Sequence, residues 1–487
     1  MLGAKNLNLK EVFRALSALI MVEGIFMLFS IPFSIYYNEA DLYPILYSAV
    51  ITFTFGGIIF LLVWRKNKKR VGRREAYLIV SLAWIVISLF GTLPYLLSGT
   101  MNTFTDAFFE TMSGFTTTGS SILNDIEAVS KGVLFWRSMT HWIGGMGIIV
   151  LTLAIMPILG VGGVQLFAAE APGPTTDKLH PTITGTAKRL WIIYIALTFI
   201  ETILLMLGNM SLFDALCHAF GTMATGGFST KNASAAYFGP YIQYVLILFM
   251  FLAGMNFSLH YFLIHNKWKK VVKNEEFRFY AFVIFSSAIL ITTFVLINYG
   301  GDIEHAFRAS LFQVVSIVTT TGFVSENYLL WPTFAWFILV GLMFSGGSAG
   351  STGGGIKMIR HWLLFKTASM QLKRLVHPRA YITTRYNGHS VKEDILFSIM
   401  AFVLFYFIIF GIGTFAMAAI GLDFQTAIGA TISSLGNIGP GIGHVGPVDN
   451  FSSIPALGKW ILAFLMMLGR LELFTVLVIL SPGFWKK

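Results

Sequence analysis

Apolar residues recur along the chain in ten long stretches, at 12–36, 43–64, 76–98, 133–158, 188–208, 240–265, 277–299, 332–367, 393–419 and 455–482, with polar residues gathered between them. A helix rises 1.5 Å per residue, so about 20 apolar residues cross a hydrocarbon core of about 30 Å. The pattern predicts an all-α membrane protein with ten transmembrane helices. Ten crossings put both termini on one side, and the basic segments fall on that side. Arg65 to Arg74 holds seven Lys or Arg, Lys267 to Arg278 five and Lys357 to Lys392 eight, and Lys5, Lys10, Arg14, Lys486 and Lys487 lie near the ends. The opposite loops carry Glu39, Asp41, Asp125, Glu127, Glu326 and Asp449. The positive-inside rule makes the basic side cytoplasmic, which predicts a multi-pass membrane protein with both termini in the cytosol. The basic start, Met1 to Arg14, precedes an apolar stretch too long for a signal h-region and is read as the flank of a retained first helix. No connection is long enough for a soluble domain, so cytosolic control is expected to come from another chain.

Four semi-apolar segments too short to span lie between outward-facing helix ends, each finishing in small residues: Thr116-Thr117-Thr118-Gly119, Ala224-Thr225-Gly226-Gly227, Thr319-Thr320-Thr321-Gly322 and Gly436-Asn437-Ile438-Gly439. Aligning Gly119, Gly227, Gly322 and Gly439 sets Asp106-Ala107 and Asp214-Ala215 each thirteen residues before its glycine. The third and fourth copies then begin at Ala309 and Thr426, and Phe104, Phe307 and Phe424 stand two positions earlier in copies one, three and four. The chain therefore divides into two extra N-terminal helices (1–74) and four helix–pore loop–helix repeats around a central pore (75–160, 161–270, 271–370 and 371–487). The pair Gly226-Gly227 leaves the second copy's register open by one residue.

Composition agrees with this reading. Of 487 residues 55% are apolar and 12% charged, with a mean hydropathy of +0.73, against about 25% charged in soluble domains. A soluble enzyme is excluded. The net charge of +11 reflects topology, so no nucleic-acid partner is expected. One cysteine, Cys217, rules out an internal disulfide.

Backbone outside helix or closed sheet persists at membrane depth only where protein or a watery cavity surrounds it, so four such turns are expected to meet on one axis. A short helix entering from outside aims its C-terminal carbonyls at that axis and favours a cation. Asp106, Asp214, Asp302 and Asp423 fall near the starts of these helices, where a carboxylate complements the positive dipole end. Rings of carbonyl oxygen replace the water of a dehydrated alkali ion. Glycine supplies the positive φ such a turn needs.

With Phe135-Trp136-Arg137-Ser138-Met139-Thr140-His141-Trp142-Ile143-Gly144-Gly145-Met146-Gly147, the four glycine turns, the segment Ser345 to Gly355 and Gly469-Arg470-Leu471-Glu472, the chain resembles the TrkH potassium-uptake subunits of the Trk/Ktr/HKT superfamily over essentially its whole length. The resemblance implies that the four turns, Thr116 to Gly119, Ala224 to Gly227, Thr319 to Gly322 and Gly436 to Gly439, are the quarters of a potassium filter. Gly119 stands where sodium-selective plant relatives carry serine, which implies potassium as the ion. It also implies a homodimer with one pore per chain, a cytosolic TrkA-type nucleotide-binding ring as regulator, and no cofactor beyond the transported ion.

Ser345 to Gly355 holds six glycines and nothing larger than threonine inside the apolar run from Phe334 to Phe365. Such a segment makes a poor lipid-facing helix. By resemblance it is an intramembrane gate, formed by Gly346, Gly347, Ser348, Gly350, Ser351, Thr352, Gly353, Gly354 and Gly355; its plainer reading is a small-residue packing surface. Arg470 lies within the last apolar stretch, where a charge costs at least about 2.5 kcal/mol. By resemblance it sits between filter and gate and bars resident cations; its plainer reading is a pairing with Glu472 or the membrane edge.

Asn256, His260 and His141 are read as buried hydrogen-bonding residues, and Trp64, Tyr95, Trp136, Trp191 and Trp331 as an interfacial belt. Gly441-Ile442-Gly443-His444-Val445-Gly446 has dinucleotide-site spacing but follows no strand, and Gly350 to Gly355 lacks the lysine of a phosphate loop at Ile356. No H-E-x-x-H or cysteine cluster occurs, so no enzyme activity is expected. Potassium transport coupled to sodium or protons through broken helices, or a non-conducting sensor, remain the alternatives to a channel-like uptake subunit.

Overall fold

The computed structural model describes residues 7–64, 72–147, 183–379 and 383–486. The described chain is mostly helical. Among its described residues six helical segments are long and apolar enough to cross a membrane, Leu9–Tyr36, Leu42–Leu62, Arg74–Leu97, Lys188–Leu207, Glu275–Tyr299 and Glu393–Ala419, and two bent pairs raise the total to as many as eight.

The helices that position the site are, in chain order, α1 (Leu9–Met27), α2 (Leu42–Leu62), α3 (Arg73–Gly91), α4 (Phe104–Phe115), α5 (Lys131–Trp142), α6 (Ile183–Leu207), α7 (Leu212–Met223), α8 (Pro240–Ala253), α9 (Phe257–Ile264), α10 (Glu275–Tyr299), α11 (Ile303–Val318), α12 (Thr333–Leu342), α13 (Met358–Val376), α14 (Glu393–Ala419), α15 (Phe424–Gly436), α16 (Ala456–Arg470) and α17 (Phe474–Leu480). One apolar core joins α1, α3, α4 and α5 to α16, and a second joins α8, α10 and α11. The N-terminal pair packs on α3 and α5. Its outer loop also caps α5, for Glu39 Oε2 accepts from the Lys131 N–H at 2.6 Å and Asp41 Oδ2 from the Val133 N–H at 3.0 Å.

Four helices, α4, α7, α11 and α15, run only 12, 12, 16 and 13 residues, or about 18–24 Å, too short to cross. Each starts at a side-chain cap. The hydroxyls of Thr103 and Ser211 accept from the N–H groups of Asp106 and Asp214, both at 3.1 Å, and in turn donate to those carboxylates. Asp302 and Asp423 are themselves the caps. Bonds from Thr426 hold the Asp423 carboxyl below the usual range. All four aspartates thus fall in or at the first turn, where the dipole favours them.

The stretches 240–265 and 455–482, read as single helices, are interrupted, and 332–367 is broken at the glycine-rich segment as expected. α8 and α9 meet at 102° and α16 and α17 at 115°, while α12 and α13 flank a non-helical segment. The second bend turns at Glu472 and Leu473, whose φ values are 51° and 54°, so Arg470 ends a helix at the break within that stretch. α5 passes into a π-turn at Ile143–Gly147, and the rest of the 133–158 stretch lies outside the described residues, as does most of the basic run 65–74.

Thr103→Ala and Ser211→Ala each remove one cap and leave an orphan N–H. Each is expected to cost about 1 kcal/mol, read as a lower unfolding midpoint of the purified protein in detergent.

Candidate functional site

Each short helix ends in the same turn. Counting its glycine as position 0, residues at −2 adopt left-handed φ (Thr117 52°, Thr225 54°, Thr320 58°, Asn437 54°), and so do the glycines (Gly119 82°, Gly227 76°, Gly322 82°, Gly439 105°). The N–H at −1 donates to the carbonyl at −6 in every copy: Thr118 to Ser113, Gly226 to Gly221, Thr321 to Ser316 and Ile438 to Ser433, at 2.7–3.0 Å. These bonds fix the open register of copy two, with Gly227 and not Gly226 equivalent to Gly119. Left-handed φ at −2 and 0 flips alternate peptides, which a β-branched threonine accepts at −2 only because the surroundings impose it.

The four turns also touch in cyclic order. A methyl carbon on Gly119 would overlap the Gly226 carbonyl oxygen, one on Gly227 that of Thr321, and one on Gly322 that of Ile438; from Gly439 the Thr118 oxygen would stand at 3.0 Å. Every contact is thus made to the −1 carbonyl of the next copy, and the fourth copy returns to the first. The last seam is the loosest, and side chains fill it. Asn437 Nδ2 donates to Thr118 Oγ1 at 2.9 Å, and the Ser120 hydroxyl donates to the Gly439 carbonyl at 3.1 Å. Thr116 with Thr118 and Thr319 with Thr321 form matching hydroxyl pairs, at 2.8 and 2.7 Å. The side chains from Thr116 to Thr118, Thr319 to Thr321, and of Ala224, Thr225, Asn437 and Ile438 are fully buried.

Behind the ring stand residues that the motif reading missed. Nine positions before three of the glycines lie Glu110, His218 and Gln313, and each holds the strand leaving its own turn. Glu110 accepts from the Ser121 hydroxyl at 2.9 Å and the Ile122 N–H at 2.8 Å, His218 Nε2 bonds Ser229 Oγ at 2.9 Å, and Gln313 meets Ser325 at 3.3 Å. Glu110 also pairs with Arg137 at 2.7 Å, with both side chains buried. Arg137 donates to the Ser229 carbonyl at 3.0 Å and lies 3.5 Å over the Phe228 ring, so it ties copy one to copy two. His141 stacks on the same Phe228 ring at 3.9 Å. His260 bonds the Leu252 carbonyl at 2.9 Å and Asn256 caps α9 at 2.8 Å. All three are packing and hydrogen-bonding residues, as their sequence context suggests.

The glycine-rich segment from Ser345 to Gly355 is a folded-back loop under the ring. Its ends pair through the Gly346 N–H and the Ile356 carbonyl at 2.8 Å. Gly350 and Gly355 take φ of 74° and 62°, and a methyl on Gly346 would overlap the Gly354 carbonyl, so the fold requires glycine there. Its tip meets three copies. Gly354 N–H donates to Thr320 Oγ1 at 2.7 Å, Thr352 Oγ1 donates to the Met223 carbonyl at 3.0 Å, and a methyl on Gly354 would stand 2.6 Å from the Gly436 oxygen. Ser348 N–H donates to Gly254 and Phe257 N–H to Gly350, which wedges Gly347 and Gly350 into the α8–α9 break, with Ser351 beside Gly347. Gly353 packs below Thr319. Arg470 supplies the link to copy one. Its guanidinium donates to the Thr352 carbonyl at 2.6 Å and to the carbonyls of Gly144 and Gly145 at 2.7 and 2.8 Å. Glu472 pairs with Arg360.

Breaking a buried ion pair from one side costs about 3–5 kcal/mol. Glu110→Ala is therefore expected to lower the thermal midpoint far more than either cap variant, a comparison that thermal unfolding in detergent makes directly.

Residues 45–487 match the TrkH family, described as cation transport protein. The chain is 42% identical over 444 residues to the Trk system potassium uptake protein TrkH of Escherichia coli (strain K12), covering 90% of this chain and 92% of that one. It is 37% identical over 491 residues to the protein of that name from Halomonas elongata, covering 99% and 100%. The crystal structure of the potassium transporter TrkH from Vibrio parahaemolyticus superposes with a TM-score of 0.88 at 34% identity, covering 99% of this chain and 100% of that one. This chain belongs to the TrkH family and is a multi-pass membrane transport protein, not an enzyme.

Proposed function

We propose that the chain takes up potassium across the plasma (inner) membrane through the ring of four turns, Thr116 to Gly119, Ala224 to Gly227, Thr319 to Gly322 and Gly436 to Gly439, acting as a carbonyl filter. The observation that carries this reading is the cyclic contact of each glycine with the next copy's carbonyl. It leaves four equivalent backbone segments around one axis, the arrangement in which carbonyl oxygen replaces an ion's hydration shell. Two buried side-chain oxygens at the −2 level, Thr117 Oγ1 and Asn437 Oδ1, have no partner among the described residues, as expected of groups facing an ion path. The short helices aim their C-terminal ends at the same place. The names of the relatives from Escherichia coli and Halomonas elongata support potassium as the ion.

In this reading ten spans form two N-terminal helices and four repeats, with both termini cytosolic. The loop 345–355 is the gate, closed as it stands because its tip lies against copies two, three and four and Arg470 fastens it to copy one. The guanidinium also sets a positive charge below the filter, which repels a resident cation. Opening requires the loop to leave that position. A cytosolic TrkA-type ring supplies the force through the basic inner face, and the membrane subunit acts as a homodimer.

Gly119→Ser puts a side chain against the Gly226 carbonyl and is expected to lower potassium over sodium selectivity several-fold; unchanged reversal potentials in reconstituted bilayers would remove the turn from the filter. Arg470→Ala breaks one hydrogen bond to the loop, two to Gly144 and Gly145 of copy one, and one charge barrier. Basal rubidium flux into liposomes is expected to rise without the regulatory ring, and flux equal to that of the unmodified chain would remove Arg470 from the gate.

A further inference from the structure

Where α10 begins and α13 continues the loop 345–355, the two helices leave a groove of about 600 Å³ lined by Glu275, Arg278, Phe279, Phe282, Trp362 and Phe365. Its walls are aromatic. Phe279 and Trp362 lie 5.0 Å apart, Trp362 and Phe365 stack at 6.1 Å, and Phe282 and Phe365 are 68% and 63% exposed. Its polar end is charge-asymmetric. The Glu275 carboxylate is fully engaged: Lys366 pairs with it, Trp362 Nε1 donates to it at 2.9 Å and the Asn387 N–H at 3.0 Å. Arg278 is exposed and has no side-chain partner among the described residues. Lys267, Lys269, Lys270 and Lys273 precede it on the same connection. The groove therefore carries one uncompensated cation at the end of a membrane span and an apolar trough running from it along the span.

An exposed aromatic trough with a free guanidinium at its polar end matches one kind of molecule present at that depth, with a phosphate for the cation and acyl chains for the rings. We propose that this groove holds an anionic phospholipid of the inner leaflet, its phosphate on Arg278 and its upper acyl chains along Phe282 and Phe365. The site borders the gate. Glu276, next to Glu275, accepts from the Ala349 N–H at 2.6 Å within the loop and from the Ile359 N–H at 3.2 Å at the start of α13. Trp362 lies one turn further along that helix. A lipid filling the groove holds α13 against α10 and so stabilises the loop where it stands. The leaflet and the gating consequence rest on the reading of sidedness and gate given above; the binding site itself does not.

The test uses the full chain. Native mass spectrometry from mixed phosphatidylglycerol and phosphatidylcholine micelles is expected to show the phosphatidylglycerol adduct on the unmodified chain. That preference should fall at least about five-fold in Arg278→Ala and return in Arg278→Lys, with Lys373→Ala, outside the groove, unchanged. Added phosphatidylglycerol should raise the thermal midpoint of the unmodified chain but not of Arg278→Ala, and inorganic phosphate should raise neither. Equal retention by the unmodified chain and Arg278→Ala overturns the proposal, as does a shift reproduced by inorganic phosphate alone. So does a Phe365→Cys variant that cross-links two chains while no lipid is retained, since the groove is then an interface between copies. Rubidium flux separates the two readings. Lower basal flux in phosphatidylglycerol vesicles that Arg278→Ala abolishes supports the gating consequence, lipid-independent flux overturns it, and lipid binding by a chain with no flux at all refutes transport while upholding the site.

Discussion

Backbone that leaves the helix inside a membrane has to find its hydrogen-bonding and packing partners within the protein, and the structure meets that constraint by making the irregular segments each other's surroundings. The four turns close a ring through glycine-to-carbonyl contacts, the breaks in the later helices gather beneath it, and the loop 345–355 occupies the space between. The long outer helices can then remain plain apolar rods. Their exposed residues, such as Phe282, Ile297 and Phe415, need only suit lipid.

The ring is held from behind by a second layer made of side chains. Glu110, His218 and Gln313 each fix the strand leaving their own turn, and Arg137 joins the first of those strands, through Glu110, to the second, through Ser229 and Phe228. The outer loops repeat the closure at the surface. Asn232 reaches Asp125 at 2.9 Å and holds its carboxyl below the usual range, the Ala236 N–H meets Val324 at 3.0 Å, the Tyr328 hydroxyl donates to Gly441 at 2.6 Å, and the Phe451 N–H returns to Ser121 at 2.8 Å. The turns and the outer loops thus share one cyclic order, with the layer between them bracing three of the turns, which makes the turns stiff despite their strained threonines.

Much of this was legible from spacing. Apolar length gave the six unbroken spanning helices, small residues before a glycine gave the turns, and the thirteen-residue offset placed Asp106 and Asp214 in the first turns they occupy. What escaped was of two kinds. Hydropathy averages over a window, so it merged α8 with α9 and α16 with α17, whose bends depend on single residues such as Asn256 and Glu472. Glu110, His218 and Gln313 share a position but no chemistry, so only the register already in hand, read at nine instead of thirteen, could have brought them out. Gly226-Gly227 was undecidable by letters, because the answer lies in which amide reaches Gly221.

The seam between the fourth turn and the first has a mechanical meaning. At three joints main chain abuts main chain with no room for even a methyl, while at the fourth Asn437 and Ser120 do the fitting. Rigidity around the ring is therefore uneven: three junctions are close main-chain packing contacts that tolerate no residue but glycine, and one is fitted by side chains and so adjustable. Any drift in the aperture, whether by design or by natural variation, has its point of least resistance there.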